Sequence, residues 1–497
     1  MLKFFRKYHK WLGIISVFFI ILISLSGIVL NHRKLLSNID LSRNVMPKQY
    51  RLVKWNNAAL RSDIKLNNNK ILIYGNIGVW ETDSTFSWFK NFNKGFENGI
   101  DNRKICKIYQ RANGELFAAS LFGLYKYENN KWNKIKEPFA DTHIVDIDTV
   151  AGAYAVLTRS YLYLTKDFES FKKIAIKPEK SYDNKTGLFK TLWVIHSGEI
   201  WGISGILIVD LIAFIFIFLS ITGVVIFFRP SLIRKKLSKN KDTENIKKIS
   251  SWSLNWHNKI GWTTAVLLLL TTITGMFLRP PLLIPIANAK VSKIPFSELD
   301  TPNQWFDKLR RIKFDQKRKC YYLATIDGIF KLKSLNATPE YIEKQPPVSM
   351  MGVNAFDFEN SDNLIVGSFN GLYLWNLETF EYKNAIKSIK KEEKHRSFLS
   401  ANQVTAYIKH YYKDKLFVDY NTGIKNLQGK EANIKMPEEI KNTPISLWNV
   451  ALEFHTGRIY QSVIGGFYFL IVPVSGIISI FLIVSGFWVW YKIHRKK

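Results

Sequence analysis

Hydrophobic and polar positions divide this chain into two textures. Four stretches, 11–30, 203–228, 260–278 and 463–491, are apolar nearly throughout, with Asp210 the one charged residue among them. Each is long enough for a hydrocarbon core, which takes about 20 helical residues to cross. The last exceeds a straight crossing, so tilt or a bend at Pro473 is expected. The two segments between them, 33–195 and 280–454, carry short apolar runs broken by Gly, Asn and Asp. Three patches in the first (70–80, 115–127 and 153–164) and three in the second (320–332, 363–375 and 415–424) repeat one pattern. An apolar strand leads into a short polar or glycine turn, and an alternating aromatic and aliphatic strand follows, which is the signature of a β-hairpin. The patches recur at the spacing of propeller blades, roughly 40–50 residues. Three blades do not close a ring. The economical arrangement is one β-propeller of six or seven blades, half from each segment; the alternative is two separate β-rich domains.

The expected fold class is therefore a four-helix transmembrane bundle carrying a β-rich domain. Its divisions are helix one over 1–32, a β-rich half over 33–195, helix two over 196–229, a basic loop over 230–256, helix three over 257–279, a second β-rich half over 280–454, helix four over 455–491 and a tail over 492–497.

Charge refines this picture. The 497 residues hold 71 Lys and Arg against 40 Asp and Glu, a net charge of +31. The excess is spread along the chain instead of being gathered on one helix or arm, which argues against nucleic acid as a partner. The ends and the 229–259 loop are short and rich in Lys and Arg, so the positive-inside rule places them in the cytoplasm and both long segments in the periplasm. The first apolar run is longer than a signal-peptide core, and Asn31-His32-Arg33-Lys34 follows it where a small-residue cleavage site would stand. An uncleaved membrane anchor is expected, with lipid as its first partner. Cys106 and Cys320 fall one in each β-rich half; a disulfide and two free thiols both remain open.

The candidate chemistry lies at the helix mouths. Tyr8-His9-Lys10-Trp11-Leu12-Gly13 opens the first apolar run and Trp256-His257-Asn258-Lys259-Ile260-Gly261 opens the third. Ser26-Gly27 and Thr274-Gly275 close those runs at the same offset. A second repeat, His196-Ser197-Gly198 and His455-Thr456-Gly457, opens the other two helices, whose ends carry Thr222-Gly223 and Ser485-Gly486. The chain thus reads as a tandem duplication of helix, long segment, helix. A pseudo-two-fold axis along the membrane normal would set His9 opposite His257 at the inner face and His196 opposite His455 at the outer face. Membrane-embedded histidines are functional candidates by default. A neutral imidazole ligates metals and haem iron, so each pair suits the two axial positions of a b-type haem held between helices.

Gly13, Gly261, Gly198 and Gly457 would clear space for a flat porphyrin. His32 is an alternative outer ligand or a substrate-side group, although its symmetry mate is Pro280. Asp210 reads equally as a packing group or a proton relay, and Glu199 and Arg458 as contacts to haem propionates or to each other. His143, His395, His410 and His494 read as solvated surface.

With these motifs in place, the four helices resemble the PepSY-associated transmembrane family, which includes inner-membrane proteins encoded with iron-siderophore uptake systems, some of them ferric-siderophore reductases. The likeness rests on His9-Lys-Trp-Leu-Gly13, Ser26-Gly27, His196-Ser-Gly198, His257-Asn-Lys-Ile-Gly261, Thr274-Gly275 and His455-Thr-Gly457, and it covers the helices only. It implies two haems b held by His9, His257, His196 and His455, and electron transfer to a periplasmic ferric chelate or redox partner. That activity would make the chain a haem-dependent reductase. No nucleotide or flavin fingerprint is present, so a quinol or a separate reductase is the expected donor. The competing readings are a non-enzymatic periplasmic sensor or scaffold anchored by four helices, and a transporter that uses Asp210.

Overall fold

The computed structural model describes residues 1–136, 139–349, 351–387 and 402–495. The chain divides into two compact units: Met1–Leu36 with Asn184–Thr301 and Leu447–Lys497, and Ser37–Asp183 with Pro302–Ser446.

The first unit is helical: α1 (Leu2–Asn31), α2 (Leu188–Ser197), α3 (Gly202–Leu237), α4 (Glu244–Thr263), α5 (Ala265–Phe277), α6 (Leu447–His455) and α7 (Ile471–His494). Its packing is inside-out relative to a water-soluble bundle. The buried residues of α1 are Ser16, Ser24 and Ser26, and those of α7 are Pro473, Gly476, Ser479 and Ser485. Large apolar side chains such as Phe18, Ile203 and Val463 face outward. Small residues inside and large apolar ones outside are what lipid selects, because close backbone approach replaces hydrophobic burial as the source of cohesion. The segments Leu2–Asn31, Glu199–Leu237 and Arg458–His494 each meet the length and hydropathy of a crossing, and α4 with α5 makes a fourth only as a pair bent by 66°.

The protein is thus a membrane protein with spanning helices near both termini. Helix three is expected as one run but breaks at Thr264, where the apolar α5 succeeds the amphipathic α4. Helix α4 itself begins at Glu244, inside the loop expected over 230–256. Helix two is preceded by a separate short helix, α2, and the turn at 198–201. In helix four the irregularity lies in the turns before Ile471, so Pro473 sits in the first turn of α7, where its missing N–H costs nothing.

Helix α1 packs along α3 and α7; α4 lies against α3 and α7, α5 against α2 and α7, and α6 against α1. The Trp448 indole donates to the Leu30 carbonyl at 3.0 Å and the Arg33 guanidinium lies 3.7 Å from the Trp448 ring centroid, which pins α6 to the end of α1.

Among the described residues, the second unit holds six antiparallel meander sheets in sequence order, over 60–91, 105–134, 144–174, 309–341, 355–384 and 404–426, and a two-stranded pair of Asp40–Leu41 with Ile445–Ser446. The second and third strands of each meander are one of the six hairpins read from the sequence. The first strands are β1 (Leu60–Lys65), β2 (Ile105–Gln110), β3 (Ile144–Val150), β4 (Leu309–Asp315), β5 (Ala355–Phe358) and β6 (Val404–Ile408). Each first strand lies beside the next, and β6 lies beside β1.

The apolar faces follow the same succession. Leu72, Tyr74 and Val79 of the first sheet pack with Ile108, Ala118 and Trp132 of the second. Likewise Ile73 and Trp80 of the first pack with Ala406, Ile408 and Val418 of the sixth. Every meander is therefore covered on both faces, which explains its near-continuous apolar strands. The tight turns depend on glycine. Gly423 has φ of +87°, and a Cβ there would collide with the Lys54 carbonyl. Gly423→Ala is expected to destabilise this unit by about 2–4 kcal/mol, read as a lower thermal midpoint of the full chain.

Candidate functional site

The four histidines meet in two pairs. The His9 and His257 ring centroids stand 6.3 Å apart with planes at 87°, and those of His196 and His455 stand 6.0 Å apart at 54°. Each ring is seated on a Ser/Thr-Gly pair of a facing helix. His9 on α1 meets Ser485 of α7, with Nδ1 3.0 Å from Oγ. His257 on α4 meets Thr222 of α3 at 2.9 Å. His455 at the end of α6 reaches the Ile23 carbonyl of α1 at 3.0 Å and Ser26 Oγ at 3.1 Å. His196 in the last turn of α2 reaches the Thr271 carbonyl of α5 at 2.9 Å, with Thr274 Oγ1 at 3.5 Å.

The carbonyls at the outer pair fix its tautomer, and the hydroxyls have acceptors within their own helices. Thr222 Oγ1 donates its proton to the Phe218 carbonyl, Ser485 to Leu482, Ser26 to Ile23 and Thr274 to Leu270, each one turn back in its own helix. At His196 and His455 the partner of Nδ1 is a backbone carbonyl, which can only accept, so these two rings carry their proton on Nδ1 and donate it. Nε2 then keeps its lone pair at His196 and His455. The glycine of each seat makes room for the ring. A Cβ on Gly275 would lie 2.6 Å from His196 Cε1, on Gly486 3.1 Å from His9, on Gly27 3.3 Å from His455 and on Gly223 3.7 Å from His257.

These Ser/Thr-Gly pairs are visible in the sequence as helix-end repeats, and only the structure shows which histidine each receives. The glycines next to the histidines do something else. Gly198 (φ +82°) and Gly457 (φ +73°) take the left-handed conformation that ends α2 and α6. A Cβ on Gly198 would collide with the Gly205 carbonyl, and one on Gly457 would press on Ile471. Gly13 and Gly261 face Leu482 and Leu219. In the chain itself Gly198 and Gly457 serve helix termination, and Gly13 and Gly261 helix packing.

His32 is not a member of the outer pair. Its Nε2 lies 2.6 Å from Asp210 Oδ2, and Asn31 Nδ2 donates to Asp210 Oδ1 at 2.9 Å. Both carboxylate oxygens of the buried Asp210 are thereby satisfied by the end of α1. Asp210→Asn is expected to cost about 1–3 kcal/mol, because the amide keeps a single acceptor for the two donors of Asn31 and His32, while His196 and His455 keep theirs. Thermal unfolding of the full chain reads this directly.

Arg458 pairs with the buried Glu453 at 2.5 Å, whereas Glu199 is exposed, so the expected Glu199–Arg458 contact is replaced by one within the α6 turn. Arg279 lies within electrostatic reach of both His455 and Arg458, and its Nε is buried without a hydrogen-bond partner among the described residues. The remaining histidines differ among themselves. His410 bonds the buried Asp63 at 3.1 Å, and His494 stacks on Trp490 with centroids 4.8 Å apart. His143 also has a partner, and His395 lies outside the described residues. Cys106 and Cys320 are both buried and both free. Among the described residues no group of three or more His, Cys, Asp or Glu side chains is placed to hold a metal ion.

The model of the PepSY-associated TM region matches residues 7–492. The chain belongs to this family. The match reaches across both β-rich segments, whereas the likeness read from the sequence was confined to the helices. No curated protein matches. Among solved structures, the chain is similar to three extracellular domains from B. thetaiotaomicron. The putative hybrid two-component system BT4673 gives 10% identity and a TM-score of 0.35, over 73% of this chain and 32% of that one. BT4673 described as a putative one-component system gives 12% and 0.34, over 78% and 39%. The putative hybrid two-component system BT3049 gives 10% and 0.33, over 74% and 39%. This chain thus spans about a third of the length of each.

Proposed function

We propose that this PepSY-associated protein is a b-type dihaem electron-transfer protein of a bacterial inner membrane. It would pass electrons from a cytoplasmic-side donor, a quinol or a separate reductase, to a periplasmic ferric chelate such as a ferric siderophore.

The observation that carries this reading is the spacing of the rings. With a metal–nitrogen bond of about 2.0 Å and a ring nitrogen about 1.1 Å from its own centroid, two imidazoles on opposite sides of one iron put their centroids about 6.2 Å apart. The two pairs stand at 6.3 and 6.0 Å. The donor chemistry agrees, since Nδ1 of each ring is held by a carbonyl or hydroxyl, the second-shell arrangement of ligating histidines, and the carbonyls leave Nε2 of His196 and His455 as lone-pair donors. Arg279, whose buried Nε has no partner among the described residues, would supply a cation beside the outer pair for an anionic propionate.

When bound, haem b supplies a one-electron Fe(III)/Fe(II) couple. The chain's own part is ligation by His9 with His257 and by His196 with His455, orientation of those rings by the four seats, and exclusion of water by the packed helices. Along α1 the inner ligand His9 and the outer seat Ser26 are 17 residues apart, about 25 Å at 1.5 Å per residue, so two centres would be stacked through the unit. The six-sheet unit, closed by its sixth interface, is read as a six-bladed propeller on the periplasmic side that offers the docking surface.

An absorption spectrum of the detergent-purified protein, oxidised and dithionite-reduced, tests the proposal. Sharp reduced α and Soret bands at about two haems per chain are expected. A colourless protein from haem-replete cells would overturn it and favour a sensor or scaffold.

A further inference from the structure

The four seats differ in what stands one turn beyond their glycine. After Gly223 and Gly486, the seats of the inner pair, that position holds Phe227 and Trp490. Both are packed among aromatic rings, Phe227 against Trp11 with centroids 5.4 Å apart and Trp490 on Trp262 at 4.4 Å. After Gly27 and Gly275, the seats of the outer pair, it holds Asn31 and Arg279. Asn31 is committed to Asp210. Arg279 follows the end of α5, where its amide still bonds the Met276 carbonyl at 3.4 Å, so its backbone lies about 6 Å along the axis from Gly275.

Charge divides the two pairs in the same way. The half-buried Arg279 lies within electrostatic reach of His455, and no carboxylate among the described residues comes within such reach of either outer ring. The acids of these elements are otherwise engaged: Glu453 pairs with Arg458 at 2.5 Å, Asp210 is held by His32 and Asn31, and Glu199 is exposed to solvent. At the inner pair, Lys10 and Lys259 adjoin the histidines in sequence, but both are exposed and lie over the Phe227 and Trp256 rings, 4.8 and 5.1 Å from the centroids. Among the described residues no Lys, Arg, Asp or Glu comes within electrostatic reach of His9 or His257. Water and salt screen exposed charges, and a partly buried one much less.

Two donors beside the outer pair also await an acceptor. Arg279 Nε, and Tyr460 Oη in the turn that follows α6, are buried without a hydrogen-bond partner among the described residues. Buried polar atoms left in this state call for an explanation, and an anionic group between the helices supplies one.

We propose that Arg279 makes the outer haem centre the higher-potential one of the two, so that this single cation gives the electron path its direction. The assignment rests on the dihaem reading. Reduction takes iron from Fe(III) to Fe(II) with one electron and lowers the positive charge of the centre by one. A fixed cation alongside disfavours the more positive, oxidised form, and the low dielectric of the packed helices enlarges that effect. An electron passing from inner Fe(II) to outer Fe(III) then runs downhill: the inner iron is oxidised, the outer iron is reduced, and no bond forms or breaks.

Equilibrium redox potentiometry of the detergent-purified full chain tests this, with His9→Ala and His455→Ala isolating the outer and the inner signal respectively. Wild type is expected to show two midpoints, the outer one higher. Arg279→Gln is expected to shift the outer couple at least tenfold towards the oxidised form, about 59 mV downward for one electron, and to leave the inner couple in place. Arg279→Lys, which keeps the charge, is expected to hold the wild-type order. Should Arg279→Gln fail to fold or shed its outer haem, the wild-type order and Arg279→Lys decide. An outer midpoint at or below the inner one, an outer midpoint unmoved by Arg279→Gln, or an equal fall at both centres would overturn the role of Arg279 and leave the dihaem reading standing. A colourless protein would overturn that reading, and the role of Arg279 with it.

Discussion

His196→Ala and His455→Ala are each expected to lower the haem content from about two to about one per chain, with the surviving centre spectrally unchanged. His9→Ala and His257→Ala are expected to do the same at the other pair, and a double variant taking one residue from each pair should be colourless. The asymmetry follows from the geometry: the two pairs share no ring and no seat, and about 25 Å of α1 lies between His9 and the Ser26 seat of His455. Loss of a seat partner costs a ligating histidine about 10–100-fold in affinity, and loss of the ligand itself costs more. His32→Ala is the control. Its Nε2 is engaged by Asp210 at 2.6 Å, so both haems should remain and only the α1–α3 tie should weaken. A spectrum in which His32→Ala removes a haem while His455→Ala does not would reassign the outer ligand.

The seats also tie the two halves of the chain to each other. His9 and His196, from the first half, rest on Ser485 of α7 and on the Thr271 and Thr274 turn of α5, in the second. His257 and His455, from the second, rest on Thr222 of α3 and on Ser26 of α1 in the first. The exchange is reciprocal, and it is what a two-fold relation between duplicated halves produces when each histidine is bonded across the axis.

Much of this was legible in the residues. Repetition of His-x-x-x-Gly and His-[Ser/Thr]-Gly marks the four rings, and the hairpin patches give the six sheets their number and order. Other features were not legible, for physical reasons. A histidine's hydrogen-bond partner lies on another helix, and sequence spacing says nothing about rotation between helices, so Ser26 with His455 and Thr222 with His257 appear only when the helices pack. His32 and Asp210 read as separate oddities because their meeting is again interhelical. The charged side chains that meet at the first strands of the six meander sheets, Lys107, Asp146, Arg311, Lys313 and Asp357 among them, were hidden further. Alternation assigns polar strand residues to a solvated face, but bulges at the strand starts turn Lys107, Asp146 and Arg311 inward, and a bulge has no reliable sequence mark.

Alanine at the four seat glycines is expected to produce a graded response. At Gly275 the added Cβ would stand 2.6 Å from the His196 ring, closer than any relaxed carbon contact, and that ring is tied to the Thr271 carbonyl and cannot retreat without giving up its Nδ1 bond. Gly275→Ala should therefore release the outer haem, with at least a tenfold loss of retention against an apo-myoglobin acceptor, and leave the inner one in place. Gly486 and Gly27, at 3.1 and 3.3 Å, demand a shift of a few tenths of an ångström and should give intermediate losses at the inner and outer centres respectively. Gly223, at 3.7 Å, is in ordinary contact, so Gly223→Ala should keep both haems and stabilise α3 by up to about 1 kcal/mol through helix propensity. The order is the diagnostic result. Equal losses at all four positions would mean that the glycines serve helix packing in general, whereas a loss that follows the Cβ-to-ring distance, and switches centre between Gly486 and Gly27, ties each one to the ring it faces.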